Sequence, residues 1–228
     1  MPEGNGQHNV SQRDVVLGNI RRSLGAAQAS AMSGEAIAAE YAAIPRGYAQ
    51  SSVLDGHELL ELFTDRLVEY DAGVYRIAPD AIAETVAEVL TRRGKRGMAI
   101  PAGIPAAWLP QGFVFSVANA FTADQLDRVE GMLSGCTVAI AETGSIVLQN
   151  AAAQGPRILS LVPDYHLCVV FAEQVVATVP EAFARLAATA ALPTTFISGP
   201  SATADIEMTR IKGVHGPRFV DVVLVGGE

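Results

Sequence analysis

Apolar residues recur along the chain with two periods, and each period predicts a different kind of element. Helical spacing of apolar residues is clearest in 55–70 and 80–93, and short apolar runs typical of buried strands lie between such segments. The predicted helices are 11–24, 35–43, 55–70, 80–93, a helix that starts at Thr122, and 180–188. The predicted strands are 73–77, 97–100, 113–117, 137–141, 145–148, 157–162, 166–171, 194–197 and 219–225.

The alternation of helix and strand in the first half of the chain predicts a parallel sheet. Parallel strands need crossover connections, and amphipathic helices supply them while covering the faces of the sheet. The strands that crowd together after Cys136 add an antiparallel portion. We therefore expect an α/β fold with an open, twisted, mostly parallel sheet and helices on both faces. The length of 228 residues suits an N-terminal helix and extended arm over 1–52 and one domain over 53–228.

The charge balance narrows the range of partners. A net charge of −8 and a pI near 5.0 argue against nucleic acid and against an anionic membrane surface. No apolar run is long enough for a transmembrane helix, and the N-terminus lacks the pattern of a signal peptide. We therefore expect a soluble cytoplasmic protein with no nucleic-acid partner and no membrane insertion.

The two cysteines limit the metal chemistry that this chain can carry by itself. Cys136 and Cys168 lie in separate apolar runs, so we expect both to be free and buried. A C-x-x-C pair is missing, and no spacing of histidine and carboxylate residues matches a metal motif. The sequence therefore predicts no metal site and no iron–sulfur cluster in this chain.

A carboxylate follows one of the predicted buried strands. Glu142 comes after the apolar run that ends at Ala141, and the residues that follow it are Thr143, Gly144 and Ser145. A carboxylate at a strand end can act as a nucleophile or a general base, and the hydroxyls and backbone amides beside it can bind an anion. Alternatively, Glu142 caps a hairpin turn or pairs with a basic side chain. The sequence leaves both interpretations open.

A second polar segment, between the strands 194–197 and 219–225, is typical of an anion-binding turn. Its glycine permits unusual backbone angles, and its hydroxyls and backbone amides supply hydrogen-bond donors. The residues predicted to bind a ligand here are Ser198, Gly199, Pro200, Ser201, Thr203, Asp205 and Glu207. Asp205 and Glu207 would point in opposite directions on a strand, so they make a poor catalytic pair.

Two histidines complete the set of predicted ligand-binding residues. His166 opens a strand, where it can shuttle a proton, bind an anion, or make a single hydrogen bond in a half-buried position. His215 lies between glycines, and Gly216 lets the backbone approach a ligand. Ligands of open α/β sheets bind beyond the carboxyl ends of the strands, so we expect these segments to converge there. By the same rule Ala102 and Gly103, small residues after another strand, leave room for a ligand.

Four ordered segments of the second half of the chain resemble the lactate-utilisation protein C family, also known as the LUD-domain or YkgG-like proteins. They are 141–147 (AETGSIV), 161–170 (LVPDYHLCVV), 198–207 (SGPSATADIE) and 214–218 (VHGPR). The N-terminal third is similar to the family only in its general layout. The resemblance implies a fold like that of the NagB, RpiA and CoA-transferase proteins, which agrees with the α/β pattern.

The resemblance also implies a role in the oxidation of L-lactate to pyruvate, alongside iron–sulfur partner proteins. This chain lacks cluster-binding cysteines, so the clusters are expected in the partners. On this interpretation the chain is a ligand-binding or assembly subunit that holds a small carboxylate near Glu142, Ser198 and His215. The alternative is a stand-alone enzyme. Glu142-Thr143-Gly144 is similar to the Glu-x-Gly nucleophile segment of CoA transferases, which implies acyl transfer through a glutamyl thioester.

Overall fold

The computed structural model describes residues 11–24, 33–118, 121–204, 210–212 and 216–227. The chain divides into two compact units, Met1–Tyr48 and Ala49–Glu228. The first unit contains two helices at their predicted positions, α1 (Gln12–Leu24) and α2 (Gly34–Ala43). Helix α2 begins after Ser33, whose hydroxyl accepts a hydrogen bond from the backbone N–H of Ala36 at 3.1 Å.

The second unit contains the remaining helices and all of the described strands. Its helices are α3 (Gly56–Glu69), α4 (Ile82–Arg92), α5 (Ala123–Leu126) and α6 (Val179–Leu186). Its strands are β1 (Gly73–Ile77), β2 (Gly97–Ile100), β3 (Val114–Val117), β4 (Met132–Ser134), β5 (Val138–Ile140), β6 (Ser145–Gln149), β7 (Tyr165–Phe171), β8 (Val175–Val176), β9 (Thr194–Ser198), β10 (Ala202–Ala204), β11 (Arg210–Lys212) and β12 (Phe219–Val225). Within the described ranges, no helix combines the length and the apolar character that crossing a membrane requires.

Six strands form a wholly parallel sheet in the order β1-β12-β7-β4-β2-β3. Strand β12 pairs with β7 along its whole length, from Phe219 opposite Tyr165 to Val225 opposite Phe171. Parallel neighbours need long crossover connections, and the helices between the strands provide them. The predicted α/β fold class is therefore confirmed.

Helices cover both faces of this sheet. Val222 and Leu224 of β12 share a buried core with α3, whereas Val223 and Val225 share a core with α4. Successive side chains of a strand point to opposite faces, so the two helices lie on opposite sides of the sheet. Each fully buried side chain of this size contributes about 1.5–3 kcal/mol to folding.

Helix α3 forms where the sequence supplies both a cap and an apolar stripe. The carboxylate of Asp55 accepts two backbone N–H groups of the first turn at 2.9 Å and forms a capping box with Glu58. Leu60, Phe63 and Leu67 recur at helical spacing and are buried. The cap sets where the helix begins, and the stripe sets which side faces the sheet.

The antiparallel portion is a second, four-stranded sheet in the order β8-β5-β6-β9. Strands β5 and β6 form a hairpin, β6 pairs antiparallel with β9, and β8 runs parallel to β5. Ala139, Ile146 and Leu148 of this sheet pack into the same core as α3. Because β5, β8 and β9 run in one direction, their carboxyl ends meet at one edge of the small sheet.

The prediction of a strand over 157–162 is wrong. Arg157–Ser160 forms a 3₁₀ helix instead. Leu159 and Ser160 are buried side by side while Arg157 is exposed, which does not fit the alternating pattern of a strand. Pro156 stands at the start of this helix, where its fixed φ is compatible with a tight turn.

Other differences concern short elements. The helix that starts after Thr122 has the expected capping box with Gln125 but ends at Leu126, after a single turn. Strands β4 and β8 and the hairpin of β10 with β11 were not predicted. Each of these strands is two or three residues long, too short for an alternating pattern to be visible in the sequence.

Candidate functional site

The residues from Ser198 to Ser201 continue the end of β9 and join it to the residues that precede β12. The backbone N–H of Ser201 donates a hydrogen bond to the carbonyl of Pro217 at 2.8 Å. Gly216 is close by, because a Cβ built on it would lie 3.8 Å from the Cβ of Ser201. The structure therefore brings together two predicted ligand-binding segments that are separate in the sequence.

Gly199 is the point at which this segment touches the end of helix α3. Its φ of +75° lies in the left-handed region, as expected for a turn that needs glycine. A Cβ added to Gly199 would lie 2.3 Å from the Cβ of Tyr70. Both the backbone angle and the close approach therefore require glycine at this position.

A chain of hydroxyl groups links the turn after β5 to the end of β9. The Oγ of Ser145 lies 2.7 Å from Oγ1 of Thr143 and 2.6 Å from Oγ of Ser198. Ser145 is buried, whereas Ser198 is exposed at the outer end of the chain of hydroxyls. Ser145 stands opposite Ser198 in the ladder between β6 and β9, which fixes this contact. Two predicted ligand-binding residues, Thr143 and Ser198, are thus joined by hydrogen bonds through a third, Ser145.

A cleft of about 280 Å³ opens beside Ser198 and Ser201. The residues that line it include Arg157, Ser160, Phe196, Ser198, Ser201 and Gly216. No acidic side chain is among the described residues that line it. The cleft lies at the carboxyl end of β9 and beside the amino end of β12, and not at the carboxyl ends of the six-stranded sheet, where we had expected the segments to converge.

Arg157 gives this cleft a positive charge. Its Nη1 donates a hydrogen bond to the hydroxyl of Ser160 at 2.9 Å. Ser160 is only 6% exposed, so it anchors the guanidinium from beneath, while the Arg157 side chain itself is exposed. A guanidinium has five N–H donors, and the contact with Ser160 is the one that its N–H groups make among the described residues. Such a group can present a planar fork to a carboxylate or a phosphate.

Sequence reasoning missed Arg157 because it lay in a segment interpreted as a strand. The preceding pair, Gly155 and Pro156, is a turn signal that argues against a strand starting there. A basic residue directly after such a turn is exposed and free to reach a neighbouring loop. What the sequence does not show is that this loop is the Ser198–Ser201 segment.

Glu142 lies in the hairpin turn between β5 and β6. Its backbone N–H donates to the carbonyl of Ala177 at 3.0 Å, and its side chain is exposed. The carboxylate makes no hydrogen bond or ion pair within the described part of the chain, and Glu142 is not among the residues that line the cleft. A catalytic role for Glu142 stays a prediction.

His166 lies in the core and is not among the residues that line the cleft. Its side chain is fully buried, deeper than the half-buried position considered from the sequence. Nε2 lies 2.8 Å from the hydroxyl of Ser134, while Nδ1 has no hydrogen-bond partner among the described residues. The contact with Ser134 is typical of a structural histidine.

Cys168 extends this buried polar group. Its Sγ lies 3.8 Å from the hydroxyl of Ser134, and Cys136 and Cys168 are both free and buried, as predicted. Hydrogen bonding to Cys136, together with His166 and Ser134, lowers the pKa of Cys168. Hydrogen bonding to Cys168 and burial raise the pKa of Cys136.

The remaining predicted ligand-binding residues lie at or beyond the limits of the described chain. Asp205, Glu207 and His215 are outside the described residues. Thr203 is part of β10, but its side chain is outside the description. Across the ranges that the structure does describe, His, Cys, Asp and Glu residues form no group of three that could hold a metal ion.

Comparisons with known proteins agree with this fold. The chain matches the family model of the LUD domain over residues 25–225, a range that includes every described strand. Among solved structures, it is similar to a crystal structure of a DUF162 family protein from Deinococcus radiodurans, with a TM-score of 0.67 and 39% identity. That alignment covers 76% of this chain and 99% of the other.

Similar curated proteins come from several bacteria. The chain is 42% identical over 182 residues to lactate utilization protein C of Deinococcus radiodurans, covering 78% of this chain and 85% of the relative. It is 36% identical over 104 residues to the uncharacterized protein YkgG of Escherichia coli (strain K12), covering 42% of this chain and 45% of the relative. The first of these alignments extends over most of both proteins.

Proposed function

Because this chain belongs to the LUD domain family, we propose that it is a component of an L-lactate utilisation system, in which it binds a small carboxylate. The name of its relative in Deinococcus radiodurans supports the pathway. The observation that supports the ligand is the exposed guanidinium of Arg157, held against Ser160 in a cleft whose described lining contains no acidic side chain.

The cleft offers complementary groups to both ends of a 2-hydroxy acid. A carboxylate accepts two parallel N–H bonds from a guanidinium, an arrangement that fixes its plane as well as its charge. The hydroxyls of Ser198 and Ser201, which line the same cleft, suit the hydroxyl of lactate or the ketone of pyruvate. Arg157 therefore supplies affinity for the carboxylate, and Ser198 and Ser201 orient the rest of the ligand.

The oxidation itself is assigned to iron–sulfur partner proteins. Both cysteines of this chain are buried in the core and would have to leave it to bind a cluster. We propose that the redox centre lies in a partner and that this chain contributes the bound carboxylate or the assembly of the complex.

Titration calorimetry with L-lactate and with pyruvate tests the ligand. We expect Arg157→Gln to weaken binding at least about tenfold, because a hydrogen bond to a charged group contributes about 1.5–3 kcal/mol. Arg128→Gln, which removes an exposed arginine outside the cleft, is the matched control and should bind like the wild type. Equal affinity in the wild type and in Arg157→Gln would refute the assignment of Arg157.

Affinity purification from lactate-grown cells tests the assembly. We expect the chain to co-purify with proteins that carry iron–sulfur clusters, recognisable from their visible absorbance and iron content. We also expect a deletion strain to lose growth on L-lactate and to regain it with the wild-type chain but not with Arg157→Gln. Growth of the deletion strain at the wild-type rate would contradict a role in lactate utilisation.

A further inference from the structure

The strand order of the six-stranded sheet places a topological switch point between β2 and β4. The connection from β2 leads to β3 at one edge, and the connection from β4 leads to β7 in the opposite direction. In open α/β sheets the crevice outside the carboxyl ends of two such strands is where ligands bind. The cleft beside Ser198 and Ser201, called the carboxylate cleft below, lies elsewhere. The switch point is therefore a separate place in the fold.

Strands β2 and β4 separate as they approach this crevice. They are paired at one position, Ala99 opposite Met132. Beyond it the backbone of Ala153 spans the gap: its N–H donates to the carbonyl of Ala102 at 2.8 Å, and its carbonyl accepts from the N–H of Gly135 at 2.9 Å. Ala153 has a φ of +62°, an angle that a residue with a side chain rarely adopts. The surrounding hydrogen bonds hold this strained residue across the switch point.

A cleft of about 500 Å³, called the switch-point cleft below, lies next to Ala153 and is lined by its neighbour Ala152. Its lining includes Ala102, Gly103, Asn150, Ala151, Ala152 and Gly155. The volume falls within the range of about 300–1,000 Å³ that is common for small-molecule sites. No charged side chain is among the described residues that line it, and most of the lining is no larger than a methyl group. Such a floor suits a flat, uncharged group that lies against the backbone.

One polar side chain in the cleft is available to a ligand. The side-chain amide of Asn150 makes no hydrogen bond within the described part of the chain, and Asn150 is exposed. A carboxamide presents one donor and one acceptor side by side, and it pairs in a bidentate manner with N6 and N7 of adenine. The backbone N–H groups of Gly103 and Ala152 are likewise unpaired in the described part of the chain.

We propose that the switch-point cleft binds the adenine nucleoside part of a second ligand, with Asn150 reading the edge of the base. A smaller cleft of about 180 Å³ shares Asn150 and Gly155 with the switch-point cleft, and it shares Arg157 and Ser160 with the cleft beside Ser198 and Ser201. The adenine site therefore adjoins the carboxylate cleft. It does not depend on that cleft, because it rests on different side chains.

Fluorescence of Trp108, the single tryptophan of the chain, provides the readout. Its ring lies beside Gly135, 3.6 Å from the position of a Cβ added there. The backbone N–H of Gly135 donates a hydrogen bond to the carbonyl of Ala153, next to the cleft. We expect the fluorescence of Trp108 to change saturably when the protein is titrated with adenosine or with AMP. Calorimetry is the second measurement of binding. If AMP binds more tightly than adenosine, the natural ligand is a nucleoside that carries phosphate. If the two bind equally, the natural ligand is a nucleoside without phosphate.

Substitutions in the floor and at the amide locate the site. We expect Ala152→Phe to abolish adenosine binding by filling the cleft and Asn150→Asp to weaken it about tenfold by removing a donor. Ala188→Phe and Asn19→Asp, at exposed positions outside the cleft, should bind as the wild type does. L-lactate binding should survive Ala152→Phe, so a failure here is distinct from a failure of the carboxylate site. No calorimetric binding of either adenine compound, or binding unaffected by Ala152→Phe, would overturn the proposal.

Discussion

Arg93 and Asp221 form a bidentate ion pair between the end of helix α4 and strand β12. Nε and Nη2 of Arg93 donate to the two carboxylate oxygens at 2.7 and 2.6 Å, and the Asp221 side chain is fully buried. The hydroxyl of Tyr165 donates to the same carboxylate at 2.9 Å. The hydrogen bond to Asp221 raises the pKa of Arg93, and burial, followed by the Asp221 charge, raises the pKa of Tyr165.

Asp221→Asn should destabilise the protein strongly, because it leaves the guanidinium of Arg93 facing a buried neutral amide. We expect a loss of about 3 kcal/mol in the free energy of unfolding, measured by urea denaturation followed by circular dichroism. Asp164→Asn is the control, since Asp164 and Arg218 form an exposed pair at 3.6 Å that should contribute at most about 1 kcal/mol. Equal losses in the two variants would mean that the buried pair does not stabilise the fold.

Gly199→Ala should be more costly than the same change at another left-handed glycine. Gly112 has a φ of +85° with nothing within 4 Å of an added Cβ, so Gly112→Ala should cost about 1–2 kcal/mol of backbone strain alone. Gly199→Ala adds the clash with Tyr70, so we expect a loss of about 3 kcal/mol or more in the free energy of unfolding. The comparison uses urea denaturation of both variants, and similar losses would contradict the close approach.

Glu130 should make the stability depend on pH. The backbone N–H of Arg96, at 2.7 Å, and that of Gly97 donate to its carboxylate and lower the pKa of Glu130. A lowered pKa contributes stability above the ordinary pKa of glutamate, about 4.3, and this contribution is lost as the pH falls through the lowered pKa.

The stability difference between the wild type and Glu130→Gln should therefore be largest at neutral pH and shrink at acidic pH. Urea denaturation at several pH values measures it. Glu88→Gln, at an exposed position on helix α4, should show no such trend. A difference between the wild type and Glu130→Gln that stays constant with pH would rule out the ionised carboxylate as its source.

Glu142→Gln separates catalysis from stability. The Glu142 carboxylate is exposed and makes no hydrogen bond or ion pair within the described chain, so the free energy of unfolding should change by less than about 0.5 kcal/mol. Any loss of function in this variant is then chemical in origin. If the purified chain transfers acyl groups from an acyl-CoA donor and Glu142→Gln does not, the acyl-transfer alternative is correct; if neither transfers acyl groups, that alternative fails.

Much of the fold was predictable because its signals are local. The helical spacing of apolar residues predicts helices α3 and α4, and the capping box of α3 sets its first turn. The runs that become β2, β7 and β12 are mostly apolar, as expected for strands covered on both faces, with His166 in β7 and Asp221 in β12 as the exceptions. The turn at Gly199 was also visible, because the Gly199-Pro200 pair is a turn signal.

The sequence by itself determined the long helices, the longer strands and the turn that needs glycine at Gly199, because these properties depend on neighbours a few residues away. Only the tertiary structure decided that Ser145 meets Ser198, that Arg93 meets Asp221, and that Arg157 rather than His166 lies in the cleft. Each of these contacts depends on the order in which distant strands pair. Strand order is set by the packing of the whole core, and no local period records it.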